Sequence, residues 1–123
     1  ADGKILGKPK SPQEAKAMLS LLSNNIHKVI TGCAIIKSGK TVSFSVETKV
    51  EFYKLEDYEI ETYINTKDCY DKAGGYGIQT AGGLFVKRID GDYFNVVGLP
   101  VAELNRQLNK FLEESKYTRQ TGF

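Results

Sequence analysis

The chain has 123 residues, 41% hydrophobic, 26% charged and 11% aromatic, with 12 Gly and 3 Pro. That is the size and make-up of one globular domain, and it excludes a disordered, collagen-like or coiled-coil chain. Lys and Arg number 17 against 15 Asp and Glu, too even a balance for charge alone to argue nucleic-acid binding, and no apolar run approaches the roughly 20 residues that cross a bilayer.

The first predicted element is a helix from about Ser11 to Ser23. Ser11-Pro12-Gln13-Glu14 reads as a capping box with Pro at the first helical position. Ala15, Met18, Leu19 and Leu22 then share one face, which must lie against a sheet. Ile26 to Ile36 reads as a strand in which Gly32 marks a bulge or a close approach, and Lys37-Ser38-Gly39-Lys40 as a polar turn. Val42, Phe44, Val46, Thr48, Val50 and Phe52 alternate with polar neighbours, so a half-buried strand follows and the pair forms an antiparallel hairpin.

A helix from about Glu56 to Asn65 comes next, burying Ile60, Tyr63 and Ile64, with acids near its start. Thr66 to Gly83 is Gly-rich and irregular. Leu84–Ile89 and Tyr93–Val97 read as a second hairpin around Asp90-Gly91-Asp92, with Asn95 inside a strand. A closing helix over Leu99–Glu114 turns Val101, Leu104, Leu108, Phe111 and Leu112 inward, and Ser115–Phe123 reads as a frayed tail. The expectation is one domain over residues 1–114, of class α/β or α+β: a layered, mixed or largely antiparallel sheet with flanking helices.

Three segments carry residues that a core does not need. In Leu6-Gly7-Lys8-Pro9-Lys10, Gly7 lets backbone approach a ligand and Lys8 offers an ammonium to a phosphate, although a solvated turn before a helix is the simpler account. In Asp71-Lys72-Ala73-Gly74-Gly75-Tyr76-Gly77-Ile78-Gln79, glycines can turn backbone N–H groups toward an anion. There Asp71 can hold a divalent cation, and Gln79 can read a base edge with its paired donor and acceptor. A glycine loop that merely positions strands weighs equally, and the Walker A spacing is absent. Asp90 and Asp92 are explained more cheaply by a turn than by acid–base work. His27, the only imidazole, has no triad partner in sequence and reads as a partly exposed strand residue. Lys49 and Glu51 read as solvated cross-strand neighbours. Cys33 and Cys69 are isolated, which removes a structural zinc site and suits thiols in a reducing compartment.

Taken in order, Leu6-Gly7-Lys8-Pro9, Val29-Ile30-Thr31-Gly32, Thr48-Lys49-Val50-Glu51-Phe52, the Asp71–Gln79 string and Gly91-Asp92-Tyr93-Phe94-Asn95-Val96-Val97-Gly98-Leu99-Pro100 resemble the Maf family, the septum-formation-inhibitor-like nucleoside triphosphate pyrophosphatases. The resemblance spans Gly3 to about Leu112, and the long Asp71–Gln79 string is its most specific part. It implies an inosine-triphosphatase-like α/β fold with a cleft between lobes, and hydrolysis of dTTP- and UTP-type nucleotides to monophosphate and pyrophosphate. A divalent cation, Mg2+ or alternatively Mn2+, is implied without identified ligands.

Lys8 matches the family's phosphate-contacting lysine, which makes it the expected catalytic residue. Gln79 matches the glutamine of base selection, and Lys72 and Asp71 belong to the same substrate-binding motif. The family's Ser-x-Arg and Ala-Asp-Thr strings are missing, and the chain opens Ala1-Asp2-Gly3. The expectation is therefore the C-terminal portion of a Maf-like protein, N-terminally truncated and impaired alone. Its implied setting is cytoplasmic, with a nucleoside triphosphate as partner, a homodimer allowed, and neither membrane nor nucleic acid. The alternative is a non-catalytic nucleotide-sensing or cell-division interaction module.

Overall fold

The computed structural model describes the backbone of residues 5–121 and the side chains of residues 5–112. Ala1-Asp2-Gly3, which opens the chain, lies outside the described residues. Helix α1 (Pro12–Leu22) starts where Ser11 Oγ accepts from the Glu14 amide at 3.1 Å, so the hydroxyl satisfies one orphan N–H of the first turn. Strands β1 (Ile26–Lys37) and β2 (Lys40–Phe52) follow as a long antiparallel hairpin. Its two central turn residues, Ser38 and Gly39, both adopt positive φ (51° and 78°), the type I′ geometry that matches strand twist.

Helix α2 (Asp57–Asn65) is closed at its start by Glu59, whose carboxylate accepts from the Glu56 amide at 3.0 Å. Three short 3-10 turns then occupy Asp68–Asp71, Ala73–Gly75 and Ala81–Phe85, the expected irregular stretch. Strand β3 (Val86–Asp90) pairs antiparallel with β2, giving the sheet order β1-β2-β3. This is the expected layered α/β architecture, with the sheet antiparallel throughout.

The core lies where α1 and α2 meet the sheet. Ala15, Leu19 and Leu22 of α1 face Val50 and Phe52 of β2, and Ile60, Tyr63 and Ile64 of α2 close the far side with Cys69, Tyr76 and Phe85. Phe52 meets Tyr76 at 4.8 Å and Phe85 at 6.0 Å between ring centroids, and Phe85 meets Tyr63 at 5.2 Å. All three pairs are edge-on, the arrangement aromatic quadrupoles favour.

The structure corrects four expectations. Tyr93–Val97 is a short helix, α3, not a strand, so there is no second hairpin among the described residues. Asp92 Oδ1 accepts from the Asn95 amide at 3.2 Å, and Gly98 ends the turn with φ 140°. A capping acid and a terminating glycine six residues apart outweigh the strand preference of Tyr, Phe and Val.

Gly91 (φ 131°) packs so closely on Thr48 that a Cβ would lie 3.1 Å from its Cα. The chain therefore folds onto β2 there rather than reversing into a hairpin. Gly32 forms no bulge: it pairs in register with Ser45, and the irregularity falls between Glu51 and Phe52.

His27 is buried, not partly exposed, because its side of β1 is covered by Phe52 and Tyr76. Finally, helix α4 (Val101–Thr121) buries Phe111 but leaves Val101, Leu108 and Leu112 more than a third exposed. Periodicity marks a face but cannot say what covers it. Among the described residues no helix is long and apolar enough to cross a membrane.

Candidate functional site

The glycine-rich segment after α2 is held by one carboxylate. Asp68 Oδ2 accepts from the hydroxyls of Tyr63 and Thr80, each at 2.6 Å, while Oδ1 lies 3.5 Å from Lys72 Nζ. The Tyr63 hydroxyl in turn accepts from the Gly77 amide at 2.9 Å. Thr80 Oγ1 also reaches the Gly77 carbonyl at 3.0 Å. Residues Gly77–Thr80 therefore form a tight turn, closed by the Thr80 amide on the Gly77 carbonyl at 3.4 Å. Both ends of that turn are tied to Asp68, one directly and one through Tyr63. Gln79 sits inside it, exposed.

The electrostatics follow from these contacts. The Thr80 and Tyr63 hydroxyls, with Lys72 nearby, hold the Asp68 carboxyl below its ordinary range. Burial, aided by Asp68, pushes the Tyr63 phenol up, so it remains a neutral donor. Asp71 and Asp68 raise the Lys72 ammonium and keep it charged, Asp71 from 3.0 Å.

Glycine is required here by crowding. A Cβ on Gly77 would lie 2.7 Å from Lys72 Cε and 2.9 Å from Thr80 Oγ1. One on Gly82 would lie 2.7 Å from the Gly77 carbonyl oxygen. At Gly82 the crowding is against backbone, which cannot move aside as the side chains around Gly77 can.

The loop carrying Lys8 reaches the same segment from the other side. The Gly74 amide donates to the Gly7 carbonyl at 2.9 Å, and Pro9 packs beside Gly75. Lys8 itself is exposed between these anchors. The structure thus gathers Asp71 and Lys72 beside Asp68, ties the Lys8 loop to Gly74, and sets Gln79 on the adjacent turn.

A cleft of about 950 Å³ opens nearby, lined by Leu22, Ile26, His27, Val29, Gly74 and Tyr76 among others, but not by Lys8, Asp71, Lys72 or Gln79. Its lining is mostly apolar, with Lys28 and Lys49 also among the lining residues. At its edge His27 Nε2 lies 2.6 Å from the Tyr76 hydroxyl, and burial pushes the imidazole down to about 4, leaving it neutral.

The divalent cation implied by the resemblance finds no ready cage. No three His, Cys, Asp or Glu side chains converge among the described residues, and both oxygens of Asp68 are already engaged.

Asp68, Thr80 and the Tyr63 hydroxyl were not singled out in sequence. Asp68 and Thr80 merely flank the Asp71–Gln79 string. Helical spacing placed Tyr63 in the core, and only its need for a hydroxyl partner could have pointed further.

The chain is similar to several known proteins. A protein named dTTP/UTP pyrophosphatase from Bacillus cereus is 53% identical over 110 residues, covering 89% of this chain and 58% of its own. One of the same name from Bacillus cytotoxicus is 54% identical, and one from Bacillus mycoides 53%, over the same shares. The chain thus spans 58% of the length of these curated relatives. The family model described as Maf-like protein matches residues 2–111, and the chain belongs to that family.

Proposed function

We propose that the protein acts in the hydrolysis of dTTP- and UTP-type nucleoside triphosphates, releasing pyrophosphate and leaving the monophosphate. The observation that carries this reading is the identity, above half over 89% of the chain, to proteins named dTTP/UTP pyrophosphatase. The exposed Gln79 on its tethered turn supports it, since an amide offers one donor and one acceptor to a base edge. Water attacks the α-phosphorus and the bond to the bridging oxygen breaks, so pyrophosphate leaves. Lys8, held out between Gly7 and Pro9, supplies positive charge to the phosphate oxygens as charge builds on them. Lys72, braced by Asp68 and Asp71, supplies a second fixed ammonium.

The cation is Mg2+ or Mn2+, carried chiefly by the triphosphate's own oxygens, as such ions commonly are. The free thiols of Cys33 and Cys69 suit a cytoplasmic setting, and residues 1–114 act as one unit.

The test is pyrophosphate release from dTTP, UTP, dCTP and dATP with magnesium, alongside calorimetric binding of each. Turnover of dTTP and UTP above the others is the expected result. Gln79→Ala removes about two hydrogen bonds of roughly 1 kcal/mol each and should lower the preference for dTTP and UTP by about 30-fold. Binding without turnover would favour a nucleotide sensor. Absence of both would end the reading.

A further inference from the structure

Strands β1 and β2 form one hairpin, yet their outer faces differ. On β2 that face carries Thr41, Ser43, Ser45, Glu47, Lys49 and Glu51, all polar. Their partners on β1 are Ile36, Ala34, Gly32, Ile30, Lys28 and Ile26, with a single charge. The three isoleucines are more than half exposed.

Strand β1 also ends the sheet, because among the described residues no strand pairs with its other edge. Two contacts fix where its backbone groups point. The Phe52 amide donates to the Asn25 carbonyl at 3.0 Å, and Asn95 Nδ2 reaches the carbonyls of both Val29 and Val46. The Asn25 and Val29 carbonyls therefore face β2. By the alternation of an antiparallel ladder, Lys28, Ile30, Gly32 and Ala34 turn N–H and C=O to the open side. Natural proteins blunt such an edge with Pro, a bulge or charges. Between Ile26 and Ile36 there is no Pro, no bulge against β2, and only Lys28.

Beneath the same edge lies the cleft of about 950 Å³, where Leu22, Val29, Tyr76 and Val96 present apolar surface. Buried His27, also on its lining, has an Nδ1 without a partner among the described residues. The occupant that fits adds a strand and sends apolar side chains to both faces of the sheet. A second copy pairing through its own β1 would bring a cleft of its own rather than a filling for this one. The 110 matched residues make up 58% of the Bacillus cereus relative, which therefore carries a large further segment.

We infer that the open edge of β1 is a docking site for a β-strand from the part of a Maf-like chain outside those 110 residues, one that pairs along Lys28–Ala34 and fills the cleft.

The test compares the unaltered chain with a chimera in which it replaces the 110 matched residues of the Bacillus cereus relative. NMR follows exchange of each backbone amide, and light scattering gives the oligomeric state. In the unaltered chain, a monomer, the amides of Lys28, Ile30 and Gly32 should exchange faster than those of Val29 and Thr31. In the chimera they should slow by about ten-fold or more. Ile30→Pro removes one open-side N–H, whereas Ile30→Ala keeps it. The proline should lower Tm beyond the alanine by more in the chimera than in the unaltered chain.

Amides that stay fast in the chimera would overturn the proposal, as would a proline–alanine gap equal in the two proteins. So would a chimera that fails to fold while the unaltered chain folds. A dimeric unaltered chain with slow Lys28, Ile30 and Gly32 amides gives the edge to a second copy and overturns it as well.

Discussion

Replacing Asn95 tests how the sheet is joined to the C-terminal part of the chain. Asn95 is fully buried, and its Nδ2 donates to the carbonyls of Val29 (2.9 Å) and Val46 (3.0 Å), with Thr48 Oγ1 at 3.1 Å. Two N–H bonds are therefore shared among three acceptors on both strands of the hairpin. Asn95→Ala forfeits about 2 kcal/mol of hydrogen bonding at roughly 1 kcal/mol per bond. The space vacated by the amide adds about 1 kcal/mol. Against this, Oδ1 is buried with no partner among the described residues, and its removal returns up to about 1 kcal/mol.

The net expectation is a loss of about 2 kcal/mol, a fall in Tm of roughly 6–12 °C for a chain of this length. Asn95→Asp keeps the volume but turns the donor into an acceptor facing two carbonyls. It should therefore cost more than Asn95→Ala at pH 8 and recover part of the loss at pH 4, where the new carboxyl protonates. Urea unfolding followed by circular dichroism measures both. A loss below 0.5 kcal/mol for Asn95→Ala, taking ~0.5 kcal/mol as the usual bound for an inert surface change, would refute the assignment. So would an Asn95→Asp variant milder than Asn95→Ala at pH 8.

Two further outcomes follow from burial and crowding. His27 titrates at about 4 when folded against an ordinary 6.5, so between those values the unfolded chain binds more protons. Stability should rise by about 3 kcal/mol from pH 4 to 6.5 and then level. The lowered Asp68 carboxyl adds a loss at still lower pH. His27→Phe should flatten the rise between pH 4 and 6.5 in urea unfolding, and an unchanged slope would contradict the assignment. Gly82→Ala places a methyl 2.7 Å from the Gly77 carbonyl oxygen and should cost about 1–3 kcal/mol. Gly32→Ala meets nothing within 4 Å, so its melting temperature should not fall, and equal losses in the two variants would sink the crowding argument.

What the sequence made legible was whatever rests on local period and turn chemistry. The capped start at Ser11, the long hairpin about Ser38-Gly39, and the buried faces of α1 and α2 needed only neighbours within a few residues. The strand read at Tyr93–Val97 failed because five apolar-rich residues suit either state. The deciding partners, Thr48 and the carbonyls of Val29 and Val46, lie 44 to 66 residues away. His27 failed for a like reason: its cover comes from Phe52 and Tyr76, not from β1 itself. For the candidate site, the ordered strings around Lys8 and Gln79 mark segments that the structure brings together, but not the carboxylate that ties the turn. Asp68 has no periodicity, and its role exists only once α2 and the Gly77–Thr80 turn are side by side.

On the reading of Gln79 as the base contact, that placement ties specificity to the core. Tyr63 belongs to both, since its ring packs edge-on against Phe85 while its hydroxyl bridges Asp68 and the Gly77 amide. Phe85 in turn contacts Phe52, which contacts His27 and Tyr76. A continuous run of aromatic rings therefore joins the apolar cleft to the turn that carries Gln79. Because close-packed rings cannot shift singly without opening voids, loosening the core at Phe52 or Phe85 would move the Tyr63 hydroxyl, and with it one end of that turn. Mutations that touch no nucleotide should then reduce base preference before they abolish folding, whereas changes at an exposed sheet position away from the cleft, such as Glu47, should leave that preference alone.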